Sequence, residues 1–492
     1  MGLRAAVCTV LILFGSILFG VKAHSETAHS EADHNEAILT QKAHHSTALD
    51  RYVEEGLRNN LALRQKYFNL EESMEALKEA RRMFFPSLFI NARYTWASGG
   101  REMTLPVGDM LNDIYEALNE VTAGHPYPTD FEDESLPIMP EREQETKMTF
   151  VQPLVMPKTI MNLKIQSRLR DVRELEIAIF RRILGAEIKK TYFNHLKAAS
   201  LVTIYEKSKE VLKENLRVSQ KLVDSGKATI DVVYRANAEI ARIEQKIAEA
   251  EKNRRITASY FNFLIGRSLD CPIEIIDLDE HTVTQDTRLD QSKANALMRR
   301  EEIKLLHRNI EIQENSIWLA RSANLPEVSA VFDYGFQGEE YSFTLDDDFW
   351  SASIVLEWEL FDSLRTSSKA RQAVLSKKRL ETGLEELKRQ IVLETEEAYH
   401  DLLVAQKSIQ STQEEFTSFE KIFEIIAKKY EQGICSQMEY MDAQTKQTNS
   451  EIGQLIARYD YLIRYAHFEA VTATGRDGLR RSLKEMAVKP KG

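Results

Sequence analysis

The chain is 492 residues long, with 76 acidic against 65 basic residues, a net charge of −11, and only 19 glycines and 11 prolines. An acidic surface without a dense basic patch excludes nucleic acid as a partner. Abundant helix formers with few breakers exclude a fold of many short strands and point to long helices.

The N-terminus opens with Arg4, the apolar run Val7–Phe19 and then Val21-Lys22-Ala23. This reads as a signal peptide over residues 1–23, its apolar run too short for a firm membrane span; a signal anchor is the alternative. Cys8 lies inside the run, so it is not read as a lipid-attachment site. No later run reaches about 18 apolar residues, which rules out helical membrane spans. Residues 24–45 hold His24, His29, His34, His44 and His45 among acids. They are either a flexible polar leader or a metal-binding tract. Cys271 and Cys435 have no metal-ligand spacing, and their placement, on the order of 50 Å apart along helices, predicts that they stay unpaired. No metal or other cofactor is expected.

The rest of the chain is written twice. Ala80-Arg81 precedes Pro86 as Ala320-Arg321 precedes Pro326, and Tyr94 and Tyr334 follow at equal distances. Glu187, Tyr192, Leu196, Ala198, Gly226 and Ala236 reappear as Glu394, Tyr399, Leu403, Ala405, Gly433 and Ala443, each pair 207 residues apart. Gly266-Arg267 is matched with Gly475-Arg476. The first repeat is set at 46–270, a linker at 271–289, the second repeat at 290–475 and a tail at 476–492.

Each repeat reads as helix, strand pair, very long helix, tight turn, helix. In the first strand, about 87–97, Leu88, Ile90, Ala92, Tyr94 and Trp96 alternate with Asn91, Arg93 and Thr95. Its return strand, about 147–155, is weaker and carries Pro153 near its end. The second repeat offers 327–337 and 349–361; in the latter Trp350, Ala352, Ile354, Leu356, Trp358 and Leu360 oppose Ser351, Ser353, Glu357 and Glu359. Strands of roughly ten residues with one apolar and one polar face suit an outer-membrane barrel. An ordinary sheet packed on a core gives the same alternation. Four strands cannot close a barrel, and open edges cannot sit in lipid. Several chains are therefore required, and three would supply twelve strands. The acidic, proline-bearing segment 98–147 is far longer than its counterpart, 337–348, and is placed outside the cell, where barrels carry long loops.

The helix from about 364 to 430 has an apolar seam at Leu384, Leu387, Ile391, Ala398, Leu402, Ala405, Ile409, Thr412, Phe416, Phe419, Phe423, Ile426 and Tyr430, interrupted near Glu394. Steps of three and four mark a coiled-coil seam. A looser version runs through Leu169, Val172, Leu175, Ile179, Ile183 and Ala186. Glycines at Gly226 and Gly433 mark the turns. Thr229 or Asp231 in the first repeat, and Ser436 in the second, are candidate caps for the helices beyond them.

The duplication, the Ala-Arg…Pro entry to each strand pair, Asn60 in Gly56-Leu-Arg-Asn-Asn-Leu and the turn-then-acid motif together resemble the outer-membrane efflux proteins, the TolC-like outer-membrane factors, over nearly all the mature length. The resemblance implies a mainly α chain with a small β part: four strands of a trimeric twelve-strand outer-membrane barrel above a long coiled-coil α-barrel in the periplasm. It further implies a homotrimer in outer-membrane lipid whose helix–turn–helix tips close the entrance and dock a periplasmic adaptor joined to an inner-membrane transporter. Tyr430, Gly433, Ser436, Glu439 and Asp442 match the family's second tip; Cys435 stands where a gate-locking arginine can sit. In the first tip Asp231 comes five residues after Gly226, whereas Glu439 comes six after Gly433. That difference turns the carboxylate by about 100°.

Glu439 and Asp442, three apart, share a helix face. Repeated threefold they would ring the entrance with carboxylates and favour cations. Alternatively they only complement the helix dipole. Gly226, Thr229, Gly433 and Ser436 form the tip turns, with Tyr430, Glu439, Asp442 and Asp231 as gate and selectivity candidates. No nucleophile triad, phosphate loop or zinc spacing suggests an enzyme. A periplasmic coiled-coil adaptor or scaffold without a pore is the alternative function.

Overall fold

The computed structural model describes residues 48–124, 127–138, 141–275, 288–341 and 343–474. The segments read above as signal peptide, His-rich leader and tail lie outside the described residues. By its contacts the chain divides at Arg51. Of the first unit only residues 48–51 are described, as the opening turn of α1 (Ala48–Asn59). The second unit begins at Tyr52 and holds every other element.

After α1 come α2 (Leu61–Arg82), β1 (Ser87–Trp96), β2 (Glu102–Leu105), α3 (Val107–Val121), β3 (Glu134–Pro137) and β4 (Arg142–Val155). The very long α4 (Pro157–Asp224) turns into α5 (Asp231–Ile265). The second repeat runs α6 (Leu289–Arg299), α7 (Glu301–Ser322), β5 (Glu327–Gly338), β6 (Asp348–Glu357), α8 (Arg365–Glu431) and α9 (Gln437–Thr472). α4 and α8 have 68 and 67 residues, about 100 Å each at 1.5 Å per residue. None of the described helices is apolar enough over its length to cross a membrane.

The helices pack as an open row rather than a closed bundle. Beyond the turns the neighbours run α5–α4–α9–α8; nearer the strands they run α2–α4–α7–α8. α5 and α8, the outer members, make no comparable packing with each other. Each level therefore presents four helices with two bare flanks.

The seam of α8 is continuous through the region that breaks its apolar pattern. Thr395 is fully buried between Ile391 and Ala398, and its hydroxyl donates to the Ile391 carbonyl at 2.7 Å. The seam of α4 differs from expectation: Ile183 is 52 % exposed, and the buried line passes through Ile177, Arg181, Leu184 and Ile188. α4 touches α2, α5, α7 and α9 along its length, so apolar residues occur on several sides and periodicity alone cannot choose among them.

Where each repeat's first helix breaks, the two repeats use different chemistry. Asn60 caps α2 by accepting from the Leu63 N–H at 2.9 Å, and donates to the Leu264 carbonyl at 2.9 Å. The counterpart at the α6–α7 break, 240 residues on, is Arg300. Its guanidinium pairs with Glu302 at 2.9 Å and with Glu394 of α8. Arg182 of α4 adds Glu301 at 3.0 Å, Glu302 at 2.5 Å and the Ala470 carbonyl at 2.6 Å. The side chains of Arg300 and Arg182 are only 10 % and 13 % exposed. An ionic cluster thus joins α4, α7, α8 and the end of α9.

The four long strands form one antiparallel sheet in the order β1-β4-β5-β6. β4 starts at Arg142, earlier than the weak alternation suggests, and Pro153 lies inside it beside a register shift at Pro153/Val155. β6 ends at Glu357, leaving Trp358 to donate from its indole N–H to the Asn324 carbonyl at 2.9 Å. At the far ends of the repeats, Gly266 and Ala473 are both left-handed helix caps. They are 207 residues apart, so Ala473, rather than Gly475, is the true counterpart of Gly266.

Candidate functional site

The two hairpin turns are built alike. Gly226 and Gly433 have φ of +67° and +71°, a region that costs any other residue about 1 kcal/mol or more. In the first turn the Gly226 N–H donates to the Val223 carbonyl and the Lys227 N–H to Leu222, at 2.9 and 2.8 Å. In the second, Gly433 donates to Tyr430 and Ile434 to Lys429, at 3.0 and 2.9 Å. This double bond pattern satisfies the last carbonyls of α4 and α8 and reverses the chain.

The helices leaving the turns differ. α9 starts with a capping box: the Glu439 N–H donates to Ser436 Oγ at 3.3 Å, and the Ser436 N–H to Glu439 Oε2 at 2.8 Å. α5 starts at Asp231 without a side-chain cap; Thr229 Oγ1 donates to the Asp231 carboxylate instead. Asp231 also pairs with Arg235 at 3.4 Å, and Asp442 with Lys446 at 2.8 Å, all four side chains being more than half exposed. Tyr430 stacks on Tyr440 at 4.8 Å, and Phe423 closes the cluster at 5.5 Å. Burial pushes the Cys435 thiol up, with the Glu439 carboxylate adding to the effect. Cys435 and Cys271 are both free thiols. Among the described residues no cluster of His, Cys, Asp or Glu could hold a metal ion.

The structure adds a group that the sequence motifs do not mark. Gln437, at the start of α9, is 9 % exposed and reaches out of its own hairpin. Its Nε2 lies within hydrogen-bond distance of Asn215 Oδ1 at 3.2 Å, Ser219 Oγ at 2.9 Å and the Val232 carbonyl at 3.0 Å, which share its two N–H groups. Asn215 and Ser219 are buried on α4, and Val232 belongs to α5. One glutamine therefore ties the second tip to both helices of the first. The repeat carries a signal for it: 207 residues away from Asn215, Ser219 and Gln437 stand Ile422, Ile426 and Ile230. Polar residues that replace isoleucine in one repeat only have to satisfy each other if buried.

The sheet has two unlike faces. Across the strands Leu88–Phe150–Phe332–Ala352 and Ile90–Met148–Tyr334–Trp350 lie in rows on one face. That face is bare: Ile90 is 72 % and Ile354 76 % exposed. On the other face Thr149 Oγ1 donates to Asp333 at 2.6 Å, Ser351 Oγ to the same carboxylate at 3.4 Å, and Arg93 and Lys147 pair with Glu145 at 3.0 and 2.7 Å. Apolar groups line one side and a hydrogen-bonded polar ladder the other, as in a strand set with lipid outside and water inside.

Residues 294–474 match the family model of the outer membrane efflux protein. No curated protein matches the chain. Among solved structures, the outer-membrane channel OprN superposes with a TM-score of 0.71 at 17 % identity, over 87 % of this chain and 90 % of that one. The CmeC outer membrane channel of Campylobacter jejuni gives 0.72 at 14 % identity, over 96 % and 94 %. The MtrE outer membrane channel of Neisseria gonorrhoeae, in its open state, gives 0.66 at 15 %, over 86 % and 89 %. At such identities the likeness is one of fold. Residues 294–474 are thus similar to the outer membrane efflux protein family, on a chain whose fold is that of solved outer-membrane channels.

Proposed function

We propose that three copies of this chain form a channel-tunnel that passes substrates from a periplasmic adaptor and an inner-membrane transporter to the cell exterior, by efflux or type I secretion. The observation that carries it is the doubly open architecture: a four-strand sheet with bare edges and a bare apolar face, on a helical row with two bare flanks. Unpaired strand edges are untenable in lipid, so the sheet needs neighbours that supply edges. Three sheets and three rows close into twelve strands and twelve helices. A pore-free periplasmic scaffold would leave the apolar band in water, against the usual limit on exposed apolar patches. Light scattering in detergent, corrected for bound detergent, is expected to give a trimer; a monomer or dimer overturns the tunnel.

Within this tunnel the hairpin tips face the adaptor. Gly226, Thr229, Gly433 and Ser436 shape the turns, and each tip offers an exposed apolar pair four residues apart in sequence, Ile230 with Tyr234 and Ile434 with Met438. Tyr430, Glu439, Asp442 and Asp231 are assigned to the entrance. Glu439 has a second duty in the capping box, so its charge must be separated from its cap. Glutamine at this position preserves the cap. Glu439→Gln with Asp442→Asn should therefore lower cation preference in planar bilayers while α9 stays folded. Glu357→Gln, in the wide barrel where salt screens the charge, is the control and should change little. Wild-type reversal potentials in the double variant would reduce both acids to helix-capping charges.

A further inference from the structure

The insert between β1 and β4 is a folded unit. Asp133 accepts from the Gly108 N–H at 3.1 Å at the start of α3. Asn112 and Asn119 each clamp a backbone segment from both sides: Asn112 accepts from the Phe131 N–H and donates to its carbonyl at 2.9 Å each, and Asn119 treats Tyr127 likewise at 3.0 and 2.7 Å. Tyr115 packs on Tyr127 and Phe131. One face of α3, carrying Gly108, Asn112, Tyr115 and Asn119, is thereby fixed to its own loop.

The opposite face is apolar and unpartnered. Val107, Met110, Ile114, Ala117 and Val121 succeed each other in steps of three, four, three and four. Met110 is 63 % and Val121 82 % exposed. That spacing is a two-heptad coiled-coil seam, and the clamped residues occupy the positions that face away from such a seam. Leu118 lies beside the seam and widens it.

We propose that α3 is a homotypic docking helix: its copies associate through this seam on the extracellular side of the barrel. The inference rests on the trimer proposed above. Three observations favour a second copy of the chain as the occupant. The heptad spacing is self-complementary, so identical helices fit one another. α3 is held on β1, an edge strand that itself requires a neighbouring chain, so the copies meet tethered. Tethering supplies an effective concentration at which even two heptads suffice. The polar residues of α3 include Asp109, Asp113, Glu116 and Glu120 and no lysine or arginine, whereas helices that lie on anionic lipid carry basic polar faces.

The test uses the full-length protein in detergent, with Cys271→Ser and Cys435→Ser as background. Ala117→Cys places a thiol in the seam. Glu116→Cys, one residue earlier and turned about 100°, is the off-seam control. Under copper-phenanthroline oxidation, Ala117→Cys is expected to give interchain disulfides at least about tenfold more readily than Glu116→Cys, since bridging needs Cα atoms within about 7 Å. Adding Ile114→Asp should abolish the cross-link while light scattering still reports a trimer. A trimer in which Ala117→Cys fails to cross-link, or links no better than Glu116→Cys, overturns the seam alone. Quenching of a bimane label on Ala117→Cys by brominated lipid after reconstitution would place the helix on the membrane and overturn it as well. A monomer overturns the trimer and the seam together.

Discussion

Arg300→Met is expected to lower stability by about 3 kcal/mol, the lower end for breaking a buried ion pair by removing one partner. The guanidinium is enclosed where α6 breaks into α7, and its loss removes the cation from Glu394 and leaves Glu302 with Arg182 alone. Burial pushes the Glu302 carboxyl up, but the hydrogen bond from Arg300 and the charge of Arg182 outweigh it, so the group sits below its ordinary value. A carboxyl depressed by folding stabilises the fold above its unfolded pKa, about 4.3, and loses that contribution as pH falls through the folded value. The penalty of Arg300→Met should therefore be full at neutral pH and shrink in acid, where Glu302 is protonated in both proteins. Adding Glu302→Gln should recover part of the loss at pH 7. Melting curves across this range decide between charge and packing. A penalty independent of pH would mean that lost packing of the arginine stem, rather than its charge, is responsible.

The second large effect is expected at Gln437. Gln437→Leu keeps the volume and removes every hydrogen bond that joins the two tips through this residue. Asn215 and Ser219 then lose a partner in a buried seam, at about 1–3 kcal/mol for a stranded polar group. Our hypothesis is that the entrance widens by parting the two hairpins, which frees these groups to meet water. The variant then favours the parted arrangement by about 2 kcal/mol per chain, close to a thirtyfold shift in the open-to-closed ratio. Single-channel recording should show longer openings. Unchanged gating together with a lowered melting temperature would make Gln437 a packing element only.

The sequence makes some of these features readable and hides others for physical reasons. Glycine at a left-handed position and a sustained three-four step are local signals, so the turn at Gly433 and the seam of α8 can be read from residues alone. The strands can be read because alternation survives even where both edges are bare. Pattern fails on α4, where neighbours on several sides spread apolar residues around the helix and Ile183 faces out. It also fails at Gln437. A glutamine in the first turn of a helix looks like solvated surface until its burial against α4 is known, and only comparison between the repeats marks it. α3 lies between Pro106 and Pro126 in an acidic stretch, and those breakers make the whole segment read as an extended loop. The capping box of Ser436 and Glu439 stands in the sequence as Ser-x-x-Glu, a pattern that serves a helix end whether or not the carboxylate also faces a pore.

The order of the sheet, with β1 at one edge and β6 at the other, has a genetic consequence. In the ring proposed above, each junction joins β1 of one copy to β6 of the next, so every copy must present two different sound edges. A chain damaged at only one edge can still enter the ring through the other. One such copy leaves a gap that its neighbours cannot bridge. Damage confined to β1 would thus be dominant over the intact gene. At equal expression and random mixing only about one ring in eight would contain three sound copies, as expected of head-to-tail interfaces that must all close.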